Sequence, residues 1–132
     1  MTHRIAAAAV GITLLLAPVV ASAATVADMQ TQLMYVLGQI AALKAQQSGS
    51  PVACAIIAST PSVTAGEPFA LIWNSFGAKD PSNDDKVSQW ARGGVSTLTV
   101  GKPGNYKYEF TFYGVAGGEA KCTAFISVLA AR

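Results

Sequence analysis

The sequence predicts a mainly β protein, an antiparallel β-sandwich preceded by one N-terminal α-helix. Three observations carry that prediction. Apolar residues recur at helical spacing over residues 25–47 and at a period of two beyond residue 52. Clusters of Gly, Pro, Asn and Asp cut the second region into short runs. The 132 residues suffice for one ordinary domain, and a composition of 52% hydrophobic against 12% charged residues excludes disorder.

Residues 1–23 read as a secretory signal peptide. His3 and Arg4 give a positive start, and Ile5 to Leu16 is an uncharged apolar core. Pro18 then breaks the helix, and Ala21-Ser22-Ala23 supplies a small-x-small cleavage site. Pro18 and the cleavage site argue against a retained membrane anchor. The lack of a cysteine just after the leader argues against a lipoprotein. Cleavage would leave a chain from Ala24 with no histidine and a charge of +1. The expected location is outside the cytoplasm, whether extracellular, cell-surface or periplasmic, with no membrane contact after cleavage. An even pair of cysteines in an exported chain predicts one disulfide, Cys54–Cys122, against the alternative of two buried thiols. Nothing resembles the Cys-x-x-Cys of a redox pair.

The helix is predicted over 24–47. Val26, Met29, Leu33, Val36, Ile40 and Leu43 alternate at spacings of three and four, which is a heptad seam of the coiled-coil kind. Thr25 followed by Asp28 resembles a capping box, and Lys44 suits the negative end of the helix dipole. Met34 and Leu37 widen the seam, and Gly38 permits close approach. Such a stripe can pack within the monomer, pair with a second copy, or lie on a membrane surface. The scarcity of basic residues on the polar face disfavours the membrane. A sandwich is expected to keep its apolar faces inside, which makes helix-to-helix pairing into a homo-oligomer the more economical arrangement.

Ser48-Gly49-Ser50-Pro51 reads as a linker, residues 48–51. Strands are expected at 52–58, 68–75, 86–91, 95–100, 105–113 and 119–128 of a domain spanning 52–132. Tyr106, Tyr108, Phe110 and Phe112 share one face of the fifth, opposite Lys107, Glu109 and Thr111. Phe69, Leu71 and Trp73 share a face, as do Leu98 and Val100, and Cys122, Ala124, Ile126 and Val128. These are the expected core.

Residues 51–129 resemble a bacterial immunoglobulin-like domain of the secreted kind often appended to surface proteins. The resemblance rests on Pro61-Ser62-Val63-Thr64-Ala65-Gly66-Glu67 before Phe69-Ala70-Leu71-Ile72-Trp73. It rests further on Ser96-Thr97-Leu98-Thr99-Val100 and on Pro103-Gly104-Asn105-Tyr106-Lys107-Tyr108. It implies that Tyr106 forms a tyrosine corner, its hydroxyl bonded to nearby backbone. Tyr108 stands where antibody-type domains carry their second cysteine, so a Cys54–Cys122 bridge would tie the terminal strands, unlike the antibody subtype. Domains of this kind serve as spacers, adhesion modules or assembly units.

Chemistry finds little purchase. Once His3 leaves with the leader, no base remains for a Ser or Thr nucleophile. No pair of carboxylates stands out, and no phosphate-binding glycine loop is present. A formal charge of +2 without a basic stripe argues against nucleic acid. Asp80, Ser82 and Asp84 alternate as in a calcium loop, but Asp85 stands where glycine is needed and Ala91 where the bidentate glutamate is needed, so a solvated loop is expected. No cofactor or metal is expected. Trp90 and Tyr113 are candidate stacking platforms for a ligand. The expected function is an exported, non-enzymatic structural or adhesion module, self-assembling through its helix. The alternative is a small extracellular carbohydrate- or ligand-binding module, and the expected partners beyond a second copy are an extracellular protein or a glycan.

Overall fold

A computed structural model describes residues 25–80 and 91–132. The chain runs α1 (Val26–Ser48), β1 (Ala53–Ala58), β2 (Ser62–Thr64), β3 (Pro68–Phe76), β4 (Gly93–Thr99), β5 (Gly104–Tyr113) and β6 (Glu119–Leu129). Two three-stranded sheets, β1-β3-β4 and β2-β6-β5, face each other in a sandwich-like arrangement, with α1 on the outer side of the first. The strand expected at 86–91 lies outside the described residues except for Ala91, which is in no strand.

The alternation read in the sequence sets the inner faces. Tyr106, Tyr108, Phe110 and Phe112 on β5 stand opposite Ile126, Ala124, Cys122 and Ala120 on β6, so three of the four aromatics face small partners that leave their rings room. Across the sandwich, Phe69 meets Tyr108 at 5.9 Å between ring centroids and Trp73 meets Phe110 edge-on at 5.0 Å. Phe112 and Leu71 are wholly buried between the sheets.

One departure is the pairing of β2 with β6, which is parallel where an antiparallel sandwich was expected. The sequence placed a turn at Thr60-Pro61-Ser62. In the structure the chain bends there without reversing: Thr60 Oγ1 donates to the Ser62 carbonyl at 2.8 Å, and β2 follows at once. The chain therefore crosses from one sheet to the other while keeping its direction. β1 lies antiparallel to β3 in the first sheet, and its continuation lies parallel to β6 in the second.

A second departure concerns residues 48–51. Ser48 belongs to α1, and Gly49 caps the helix in the left-handed region at φ 65°, its N–H donating to the Ala45 carbonyl. The Ser50 N–H reaches the same carbonyl at 3.1 Å, and the Ser50 hydroxyl donates to the Val52 carbonyl at 2.7 Å. The segment is a hydrogen-bonded turn rather than a loose linker. At Gly77 (φ 69°), a β-carbon would stand 2.0 Å from the Pro51 carbonyl oxygen, so only glycine fits beside that turn.

At the start of β5 the Tyr106 hydroxyl donates to the Lys102 carbonyl at 2.9 Å, across Pro103 and Gly104. Tyr106→Phe removes that bond and almost no volume. It should cost about 1 kcal/mol in urea denaturation, and an unchanged midpoint would mean that the turn holds without the hydroxyl.

Candidate assembly surface

The helix starts as its sequence suggests. The Asp28 N–H donates to Thr25 Oγ1 at 3.1 Å, and the Thr25 N–H donates to the Asp28 carboxylate at 3.0 Å. Side-chain and backbone hydrogen bonds from Thr25 hold the Asp28 carboxyl below its ordinary range. Lys44 does not serve the helix end, since the last turn carries no basic residue. Its ammonium instead reaches the Cys54 carbonyl on β1 at 3.4 Å.

What the helix buries differs from expectation. Leu37, Ala41 and Ala45 face the sheet, with Met34 partly covered beside them. Leu37 packs with Ala55 of β1 and Ala70 and Ile72 of β3, with Met34, Ile57 and Val95 at the margin. The first sheet thus has a second apolar face, contrary to the expectation that a sandwich keeps all its apolar faces inside. The reason lies in β3, whose run Phe69-Ala70-Leu71-Ile72-Trp73 is apolar on both sides and buried throughout.

Two polar contacts pin the helix. Asn74 of β3 donates its side-chain amide to the Met34 carbonyl at 2.9 Å. Gly38 leaves that amide its space, since a β-carbon there would lie 2.7 Å from Asn74 Nδ2. Lys44 of α1, reaching the Cys54 carbonyl of β1, is the other pin. α1 consequently lies over β1 and β3 and barely touches β4.

The heptad residues remain outside. Val26 is 66% exposed, Val36 50% and Leu43 55%, with Met29, Leu33 and Ile40 likewise open. At 3.6 residues per turn this stripe lies about a third of a turn from the face that grips the sheet. The helix is therefore apolar on two adjacent faces. The sheet takes Leu37, Ala41 and Ala45, and Val26, Met29, Leu33, Val36, Ile40 and Leu43 line an uncharged stripe. That surface offers apolar area for burial against a partner.

The other sequence candidates are scattered. Asp80 is bound through both oxygens by Arg92, at 2.6 and 2.7 Å, while Ser82 and Asp84 lie outside the described residues. Trp90 also lies outside them, and Tyr113 is half-buried at the end of β5, its carbonyl accepting from the Lys79 N–H. Of that candidate pair, only Tyr113 falls among the described residues. Cys54 and Cys122 are joined, linking β1 to β6 across the two sheets with their α-carbons 5.8 Å apart.

Phe125, 69% exposed on the outer face of β6 beside an open hollow with Pro61 and Ile57, received no role in the sequence reading. Its signal was parity, because Ala124 and Ile126 on either side point inward. Among the described residues no group of three or more His, Cys, Asp or Glu side chains could hold a metal ion, and no helix is long and apolar enough to cross a membrane. No protein-family model matches the chain, and comparison with curated proteins and with solved structures gave no match.

Proposed function

We propose that the chain is an exported, non-enzymatic structural or adhesion module of immunoglobulin-like type that assembles with copies of itself through α1. One observation carries the reading: the heptad stripe is held outward on a helix that its own sheet fixes in place. An exposed contiguous apolar patch on a rigid element is what an association surface requires. Support for export comes from the leader-like residues 1–23 and from the Cys54–Cys122 bridge, which suits an oxidising compartment. Support for the immunoglobulin-like type comes from the first strand segment being shared between two sheets and from the Tyr106 hydroxyl bonded to the turn before β5.

The test is the molar mass in solution. Purified protein should scatter light as an oligomer, and Leu33→Asp with Ile40→Asp should reduce it to the monomer mass. Because both side chains lie off the sheet-facing side, the thermal transition of the domain should shift little. Monomeric wild-type protein at high concentration would overturn the reading.

A further inference from the structure

We infer that the partner on the α1 stripe is a single second copy of the chain, seated parallel and in register, with the glutamine flank of each helix lying along the other copy's β1 edge. This rests on the assembly reading above and adds the partner's number, direction and contacts.

The two flanks of the stripe differ. On one side stand Gln30, Leu37 and Lys44, with Leu37 buried on the sheet and Lys44 bonded to the Cys54 carbonyl. On the other stand Gln32, Gln39 and Gln46, all exposed and spaced by seven. Because Lys44 reaches β1 while Gly38 and Met34 meet Asn74 of β3, the stripe lies on the β1 side of the helix. Among the described residues β1 is the end strand of its sheet. The stripe and the strand edge therefore form a corner, with an apolar wall above and backbone below.

The strand carries no guard of its own against association, and Lys44 of α1 covers only the Cys54 carbonyl. Its sequence, Ala-Cys-Ala-Ile-Ile-Ala, contains no charge and no proline. The alternation of a strand tells which groups point outward. The Ser59 N–H turns toward β3, donating to the Ala70 carbonyl, whereas the Cys54 carbonyl is met by Lys44. The even positions Cys54, Ile56 and Ala58 then aim their backbone groups away from β3. Such N–H and C=O groups are met together by a side chain that both donates and accepts, as a glutamine amide does.

Direction follows from the flanks. In a parallel pair, the residues after one helix's seam lie against those before its partner's, so Gln39 of one copy falls beside Lys44 of the other and hence near its Cys54 carbonyl. An antiparallel pair would set glutamine against glutamine and one β1 edge against the other. It would also bring both sandwiches to the same side of the helices, whereas the parallel pair places them on opposite sides.

Number follows from area. The six stripe residues are each 38–66% exposed, and two copies paired through them and through their glutamine flanks offer an area comparable to the roughly 1,000 Å² that a specific interface needs. The sheet occupies the neighbouring face of each helix, which leaves room for one partner and excludes higher coiled-coil bundles.

Single cysteines test the arrangement in the full chain, with the Cys54–Cys122 bridge checked by peptide mapping. Val26→Cys and Leu43→Cys should each cross-link to themselves under mild oxidation, whereas Tyr35→Cys, outside the seam, should not. Cross-linking only when Val26→Cys is mixed with Leu43→Cys would establish an antiparallel pair and overturn the inference while leaving assembly standing. No cross-link together with a monomer mass overturns both. Gln39→Lys should weaken the dimer about three- to tenfold by facing Lys44, whereas Gln39→Glu should not weaken it. An unchanged affinity with Gln39→Lys would overturn the placing of the flank.

Discussion

Reduction of the Cys54–Cys122 bridge should lower the stability of the domain by about 4 kcal/mol, the chain-entropy value for a closed loop of this size. The two cysteines are 68 residues apart in sequence, so the bridge removes much of the freedom of the unfolded chain. Urea denaturation of the oxidised protein beside Cys54→Ala with Cys122→Ala measures the difference. Strand content at low temperature should survive, because Phe69, Trp73, Phe110 and Phe112 pack the sheets together around the bridge. A loss below 1 kcal/mol would show that the aromatic core alone sets the stability.

Adjacent residues on α1 should behave oppositely. Leu37, 3% exposed, fills the space between the helix and Ala55, Ala70 and Ile72. Leu37→Ala should destabilise the monomer by about 2–4 kcal/mol through lost burial and the cavity left behind. Val36→Ala, one residue away on the outer stripe, should change monomer stability by no more than about 0.5 kcal/mol. Its effect should appear in the mass distribution instead. Denaturation measured at low protein concentration separates the two, and equal losses would overturn the assignment of faces.

Where the chain obeys a single period, the sequence read correctly. The β5 aromatics and the even positions of β6 lie inside as alternation demands, and the Thr25–Asp28 cap closes as its spacing suggests. The helix was harder because two periodic patterns overlap on it. The heptad residues are large and dominate any hydrophobic reading, whereas Ala41, Ala45 and Gly38 carry little apolar weight. Yet small residues let a helix settle closely onto a sheet, so the quieter pattern is the one the monomer buries. The unbroken run Phe69–Trp73 held the missing clue, since a strand apolar on both faces must be covered on both. β2 escaped because three residues are too few to show a period, and because Pro61 in a crossing segment looks like proline in a reversal.

The position of the disulfide also decides how the molecule bears tension. A pull applied between α1 and the C-terminal residues enters the sandwich through β1 and leaves through β6, and Cys54 and Cys122 stand on those two strands. The force therefore crosses from one sheet to the other through a covalent bond and bypasses residues 55–121. That interior length cannot be paid out while the bridge is intact. Only chain outside the bridge can lengthen, and within β6 that is Thr123–Leu129, about 25 Å when fully drawn out. Between Cys54 and Cys122 the module behaves under load as a short inextensible link, whereas its reduced form would also unravel through the strands that the bridge shields.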